Sequence, residues 1–145
     1  MYRSIIVGVD GSRPSEKAFE VAADMARRYN ARLLIVTVFA PPAITLLGDI
    51  PPYPPKVPDE VTNRMGPLLA GYAAKARETG IREVDAKIVP VWDTPGAGFV
   101  AEAERQGCAL TVVGSRGMTG LRRTLLGSTA EYIARNSHCD VHIVR

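Results

Sequence analysis

Glycine, hydroxyl and arginine side chains concentrate in one stretch near the C-terminal end of the sequence, GSRGMTGLRRTLLGST. Gly114 and Gly117 open it, and after nine further residues Gly127, Ser128 and Thr129 stand where a helix is predicted to begin. The loop also carries three arginines: Arg116, Arg122 and Arg123. Glycines let a backbone approach a ligand and adopt positive φ, and helix N-terminal amides attract anions. The stretch therefore predicts a phosphate-binding loop.

The alternative for this stretch is a glycine-rich connection that ends in a capped helix. Two glycines with two residues between them are a weak signal when they stand alone. The position of the loop after a buried strand, and the hydroxyl pair at the helix start, favour the phosphate-binding interpretation.

A second turn with chemical potential follows the first predicted strand, Ser4–Val9, and reads Asp10-Gly11-Ser12. In parallel sheets, ligands bind at the carboxyl ends of strands, at the point where the strand order reverses. If the first and fourth strands flank that point, this turn and the glycine-rich loop face the same cleft. Asp10 is equally suited to forming the turn itself or capping the next helix, for which Ser12 is also a candidate.

Other reaction chemistries find no support in the sequence. There is no GxxxxGK[ST] phosphate loop, no GxSxG nucleophile elbow and no SGGxDS-like loop after the first strand. His138 and His142 do not share a helical face, and Cys108 and Cys139 lack metal-ligand spacing, so both cysteines are predicted to be reduced thiols. We predict no catalytic residue and no metal site.

The first half of the chain alternates apolar strands with helices. After the first strand, a helix is predicted from Pro14 to Tyr29, with Asn30 as a left-handed terminator. Arg32–Phe39 is a second buried strand. Residues 41–58 contain seven of the eleven prolines, which predicts a long irregular loop.

The second half continues the alternation and specifies the fold class. A long helix from Asp59 to Thr79-Gly80 has a potential break at Gly66-Pro67. The remaining predicted elements are strand Val84–Val91, with Pro90 marking an edge or an end, helix Pro95–Gln106, strand Ala109–Val113, helix Ser128–Asn136 and strand Val141–Val144. This alternation predicts one α/β domain over residues 1–145, a Rossmann-like, doubly wound, five-stranded parallel sheet of order 3-2-1-4-5 with four helices.

Composition excludes several classes of partner. The net charge of +3 is spread without any run of five like charges, and no aromatic residues interleave with it, so nucleic-acid binding is not expected. No apolar run approaches the ~20 residues of a membrane span, and the N-terminal residues lack a signal-peptide pattern. We expect a soluble, cytoplasmic protein with no membrane partner.

Taken together, these motifs resemble the universal stress protein family. The resemblance covers the opening strand with VDGS, the proline-rich loop and the Gly-x-x-Gly-(nine residues)-Gly-Ser pattern. In that family the complete pattern marks the ATP-binding branch, and here its fixed positions are filled by Gly114, Gly117, Gly127 and Ser128. The resemblance implies ATP, alone or with Mg²⁺, as the cofactor.

The resemblance also implies roles for residues at the strand ends. Asp10 matches the family's acidic residue that contacts ribose and adenine. Val38 matches the position whose backbone pairs with the adenine edge. Val9 and Val113 would form the floor of the pocket; the alternative is that, as strand ends, they belong only to the core. Arg116 would lie among the phosphate glycines; the alternative is an ordinary surface arginine.

The resemblance further implies a homodimer, joined antiparallel through the last strand, Val141–Val144. One departure concerns the same strand. The family often has a Pro-Val pair at its entrance, whereas this chain has Cys139, then Asp140-Val141. The departure bears on the strand entry and the dimer edge and leaves the ATP loop untouched.

Two classes of function follow. The first is a nucleotide-dependent stress-response or signalling module whose ATP-bound state is read by a partner or by the dimer. The second is a slow ATP hydrolase or phosphotransferase, which would need an oriented nucleophile. Asp10 is the only evident carboxylate and is committed to ribose, so the binding module is favoured. A third interpretation keeps the pocket but assigns it to another adenine nucleotide such as cyclic AMP.

Overall fold

The computed structural model describes residues 1–41, 53–116 and 126–145, and within them strands and helices alternate strictly. The strands are β1 (Ser4–Gly8), β2 (Arg32–Phe39), β3 (Val84–Pro90), β4 (Leu110–Gly114) and β5 (Asp140–Val144). The helices are α1 (Arg13–Tyr29), α2 (Asp59–Glu78), α3 (Pro95–Arg105) and α4 (Ser128–Asn136). All pairs are parallel, in the order β3-β2-β1-β4-β5. The predicted five-stranded sheet, its order and its four helices are confirmed.

The helices cover the sheet on both faces. One apolar cluster joins α1 and α2 to the sheet through residues such as Phe19 and Leu69. A second cluster joins α3 and α4 to the opposite face through residues such as Phe99 and Ile133. Because the two helix pairs lie on opposite faces, the direction of chain winding reverses between β1 and β4. That reversal opens a cleft at the carboxyl ends of these two strands.

Local sequence signals account for the ends of α1. The Ser12 hydroxyl accepts a hydrogen bond from the Ser15 amide at 3.3 Å, so Ser12 is the N-cap. At the other end Asn30 has φ 52° and ψ 43°, the left-handed conformation that terminates a helix. Both features agree with the sequence prediction.

The possible break at Gly66-Pro67 does not occur, because α2 runs from Asp59 to Glu78 through Pro67. Proline removes one helical hydrogen bond and crowds the preceding turn. Met65 and Leu69 on either side of it are both buried against the rest of the domain. Packing on both sides of the proline therefore holds the two halves of α2 in one helix.

The edge strands follow the prediction with small shifts. Pro90 ends β3, which forms one edge of the sheet, as expected of a residue without an amide donor. β5 forms the other edge and begins one residue early, at Asp140, whose carboxylate accepts a hydrogen bond from the Tyr2 hydroxyl at 2.9 Å. Asp140, at the position where the resemblance often implies proline, therefore extends the pairing with β4 by one residue, opposite Leu110.

Much of the predicted proline-rich loop lies outside the described residues. Its described part, Pro41 and residues 53–58, forms neither helix nor strand. Cys108 and Cys139 are free thiols, and burial raises the pKa of Cys108.

None of the helices in the described ranges combines the length and apolar character that crossing a membrane requires.

A buried carboxylate ties α3 to the edge of the sheet. Glu102 is 6% exposed and accepts hydrogen bonds from Lys87 of β3, from Arg105 at 2.8 Å and from Gln106 at 2.9 Å. Gln106 in turn accepts from Arg32 of β2 at 3.1 Å. Burial opposes the charged form, but the hydrogen bonds from Lys87, Gln106 and Arg105 outweigh burial and lower the pKa of Glu102.

We predict that Glu102→Gln destabilises the protein by about 2 kcal/mol at pH 7, because charge-assisted hydrogen bonds are lost inside the protein. A carboxyl whose pKa is lowered on folding stabilises fully above its unfolded pKa and loses that contribution as pH falls through its folded pKa. The difference between variant and wild type should thus be constant from pH 6 to 8, as measured by urea unfolding, and shrink below about pH 4.5.

Glu104→Gln provides the matched control on the same helix. Glu104 is exposed and pairs with exposed His138, so its substitution should change stability by less than about 0.5 kcal/mol. Equal stability of the Glu102 variant and the wild type at pH 7 would contradict the assigned role of the buried carboxylate.

Candidate functional site

A cavity of about 290 Å³ lies at the carboxyl ends of β1 and β4, where the winding reverses. Nine of the ten predicted site residues line it: Val9, Asp10, Val38, Val113, Gly114, Arg116, Gly127, Ser128 and Thr129. The tenth, Gly117, lies outside the described residues, as do Arg122 and Arg123. The structure thus brings together residues from three distant parts of the chain. Their roles toward a ligand stay predictions.

Nine further residues line the cavity that sequence reasoning did not select: Gly8, Ser15, Val36, Thr37, Pro95, Phe99, Ser115, Ala130 and Ile133. Two of these residues stand out in the sequence pattern. Thr37 is a polar residue inside an otherwise apolar strand, and Ser15 follows Ser12 by three positions at the start of a helix. Most of the others are apolar positions that sequence patterns assign to the core.

The turn after β1 is held by interlocking hydrogen bonds. The Ser12 amide donates to Asp10 Oδ1 at 2.9 Å, and the Asp10 amide donates to the Ser15 hydroxyl at 3.2 Å. Gly11 between them has φ +86°, which only glycine adopts readily. Asp10 therefore forms the turn, the alternative role considered for it, and also lines the cavity. The two roles are compatible because the turn uses one carboxylate oxygen.

The residues at the ends of β1 and β2 also line the cavity. β1 stops at Gly8, but the Val9 amide still donates to the Val36 carbonyl at 2.9 Å. The Thr37 hydroxyl, buried, donates to the Val9 carbonyl at 2.6 Å. The Val38 side chain packs partly buried against the apolar cluster under α3 and α4, as expected of a core side chain.

Gly114 and Gly127, the described glycines of the predicted phosphate-binding loop that were selected as site residues, lack the predicted positive φ. Among the glycines that the structure describes, positive φ occurs at Gly11, Gly80 and Gly107. Gly127 has φ −61°, and Gly114 is also outside the positive region. A Cβ on Gly114 would lie 3.0 Å from the carbonyl carbon and oxygen of Pro14. The close approach that Gly114 permits is therefore to the first turn of α1.

The start of α4 departs from the prediction at one amide. Gly127 is the N-cap, and its amide donates to the Ser115 carbonyl at 2.7 Å, so this donor does not point at an anion. No described residue accepts from the amides of Ser128 and Thr129, as is usual in a first helical turn. Both side chains are exposed. These amides, two hydroxyls and the helix dipole together favour a negatively charged group.

Ser115 joins the start of α4 to the edge strand β5. It is buried, and its amide donates to the Val144 carbonyl of β5 at 2.8 Å while its carbonyl accepts from Gly127. Arg116 follows, half-buried and lining the cavity, and adds positive charge beside α4. Arg116 and the first-turn donors of α4 therefore line the same cavity.

The described part of the chain offers few side-chain ligands for a metal ion. No three His, Cys, Asp or Glu side chains within it lie together in a way that could hold a metal ion. Asp10 is the only carboxylate among the described residues that line the cavity. A divalent cation there would need oxygen ligands from a bound molecule.

Comparisons with known proteins point to one family. Residues 1–145 match the family model described as Universal stress protein family. Universal stress protein YxiE of Bacillus subtilis is 32% identical over 151 aligned positions, covering 100% of this chain and 100% of the relative.

Solved structures share the fold. A crystal structure of a universal stress protein in complex with cAMP is 27% identical, with a TM-score of 0.73, and covers 99% of this chain and 97% of that chain. A universal stress protein from Archaeoglobus fulgidus is 21% identical, with a TM-score of 0.75 and 100% coverage of both chains. At that identity the second likeness supports the fold alone.

We predict that Gly114→Ala destabilises the protein by about 1–2 kcal/mol, because the added Cβ presses on the backbone of Pro14, which yields less easily than a side chain. Gly71→Ala is the control. Its Cβ would meet nothing within 4 Å on the exposed side of α2, and the exchange should stabilise by roughly 0.5–1 kcal/mol. Thermal unfolding of both variants measures this, and a Gly114→Ala protein as stable as wild type would refute the close contact.

Proposed function

The chain belongs to the universal stress protein family, and on that premise we propose that it binds ATP in the cavity between β1 and β4 and acts as a nucleotide-dependent stress-response or signalling module. One observation carries the proposal. Asp10 at the end of β1 and the open first turn of α4 line the same cavity, so an acceptor for hydroxyls and a site for anions face one ligand.

The phosphate end of the ligand would lie against α4. The amides and hydroxyls of Ser128 and Thr129 supply donors, and the guanidinium of Arg116 supplies charge. The Gly127 amide is taken by Ser115, so the donors begin one residue later than the glycine pattern suggests. This is the set of groups that a polyphosphate needs.

The adenosine end would lie toward β1 and β2. The Asp10 carboxylate accepts hydrogen bonds from ribose hydroxyls, while Val9 and Val113, both buried, form apolar floor beneath the ligand. The complex of a 27% identical universal stress protein with cAMP supports an adenine nucleotide as the ligand class. Cyclic AMP is therefore the alternative ligand for the same cavity.

Binding is favoured over hydrolysis. Transfer of a phosphoryl group needs an oriented nucleophile as well as positive charge. Asp10, the only carboxylate lining the described part of the cavity, lies at the β1 end and is assigned to ribose. Mg²⁺ would be held mainly by the phosphate oxygens, and single-turnover hydrolysis of ATP separates the two functions.

We predict that Gly127→Asp lowers ATP affinity about 100-fold or more, which corresponds to about 2.7 kcal/mol. Aspartate is a good N-cap, so α4 should persist while the carboxylate occupies the first-turn amides and repels phosphate. Isothermal titration calorimetry measures the affinity, and circular dichroism tests the fold.

Gly127→Asn is the control, since asparagine has nearly the same shape and caps equally well without charge. Its affinity should fall by no more than about tenfold, because only the steric part of the change remains. A folded Gly127→Asp variant that binds ATP as tightly as the wild type would remove the phosphate site from this position.

We also propose a homodimer that pairs β5 with its copy across a two-fold axis. β5 is an edge strand whose outer side is paired with no described strand, and unpaired edges favour association with another chain. Isologous dimers are the commonest oligomers. Val144 is buried in the cluster beneath α1, whereas Ile143 on the opposite face is only partly buried.

This difference predicts opposite outcomes for two variants. Ile143→Lys should give a folded monomer, because its charge lies near the seam, while Val144→Lys should destabilise the domain by about 3 kcal/mol or more through a buried charge. Sedimentation at micromolar concentration measures the association, and urea unfolding the stability. A wild-type protein that sediments as a monomer would end the dimer proposal without affecting the nucleotide site.

A further inference from the structure

Ser15, in the first turn of α1, is a buried polar residue that lines the cavity without an assigned role. The residue is 5% exposed. The hydroxyl donates to the Ser12 carbonyl at 2.9 Å and accepts from the Asp10 amide at 3.2 Å. A helical cap accounts for neither bond, because Ser12 already caps α1. The second bond reaches back across the turn to the residue that carries the carboxylate.

Two hydrogen bonds to atoms of Asp10 set the direction of its carboxylate. Its Oδ1 accepts from the Ser12 amide at 2.9 Å, and the Asp10 backbone amide is held by Ser15. No described residue donates to Oδ2. One oxygen thus sets the orientation of the group, and the other keeps its full capacity to accept from a ligand.

The residues on both sides of the turn are held by contacts with other elements. Before it, the Val9 carbonyl accepts from Thr37 at 2.6 Å. After it, the backbone of Pro14 lies against Gly114 at the end of β4. Within this frame, the Ser15 hydroxyl is the side-chain group that sets the backbone of Asp10.

We propose that Ser15 is a positioning residue for ribose recognition, an inference that rests on the proposed nucleotide function. By holding the Asp10 amide it fixes the backbone from which the carboxylate projects, so that Oδ2 meets the ribose hydroxyls. Removal of the Ser15 hydroxyl leaves a part-buried amide without its acceptor and lets the turn relax. The ligand class selected in this way is nucleotides with free ribose hydroxyls.

The experiment compares two probes, ATP and 2′,3′-dideoxy-ATP, which lacks both ribose hydroxyls. The measured quantity is the ratio of their dissociation constants. The wild type should prefer ATP by about tenfold or more, the worth of a charge-assisted hydrogen bond, and Asp10→Ala should bring the ratio close to one. Ser15→Ala should lower the ratio at least about threefold while ddATP binding stays nearly unchanged.

Two controls separate positioning from stability. Thr79→Ala removes a hydroxyl that bonds the Ala76 carbonyl at 2.7 Å at the far end of α2, and it should leave the ratio unchanged. Ser15→Thr keeps the hydroxyl and should restore the ratio. If Ser15→Ala does not fold, Ser15→Cys carries the same expectation, because sulfur is a weak acceptor of similar shape.

Hydrogen exchange of the Asp10 amide tests the geometry without any ligand. The amide should exchange faster in Ser15→Ala than in the wild type, whereas its rate in Thr79→Ala should not change. Unchanged exchange and an unchanged ratio in Ser15→Ala, with Asp10→Ala still losing the ratio, would overturn the role of Ser15 and leave the proposed function intact. An equal loss of affinity for ATP and for 2′,3′-dideoxy-ATP in Ser15→Ala would also overturn the role of Ser15. Absence of ATP binding by the wild type would instead overturn the proposed function.

Discussion

The parallel pairing of β1 with β4 is the constraint on which the rest of this molecule depends. The chain winds to β2 and β3 on one side of that pair and to β5 on the other, so the helices that leave the two strands lie on opposite faces. Their connections diverge and leave a cleft. The pairing itself is held by apolar packing on both faces, since Ile5, Ile6 and Val7 have no exposed surface.

Hydrogen bonds between different elements turn this cleft into a shaped cavity. Ser115 links the end of β5 to the cap of α4, and Thr37 links β2 to the residue after β1. Both are buried polar residues whose hydrogen bonds cross between elements. Because such groups are costly to leave unpaired, the described residues at the ends of β1, β2 and β4 are held to one arrangement. The donors of α4 and the carboxylate of Asp10 face the same space as a result.

Gly114 and Gly127 illustrate how a residue selected from the sequence can line the cavity for a different physical reason than the predicted one. Gly114 was predicted from its place in a phosphate loop, and it does line the cavity. Its missing side chain, however, serves contact with Pro14, and its φ is not positive. Likewise Gly127 starts α4 as expected, yet its amide is bonded to Ser115. Spacing along the chain selected residues that line the cavity, whereas the contact that requires glycine at position 114 involves Pro14, which is far away in sequence.

The sequence by itself determined the elements, the sheet and the positions around the cleft. Apolar periodicity, capping residues and prolines are local, so they specified the strands and helices to within one or two residues, and strand ends named most of the cavity. Only the tertiary structure decided that Pro67 stays within α2, that Glu102 is buried beside Lys87, and that Ser15 holds Asp10. These outcomes depend on packing between elements, where tenths of an ångström decide which groups meet, and no local pattern encodes such distances.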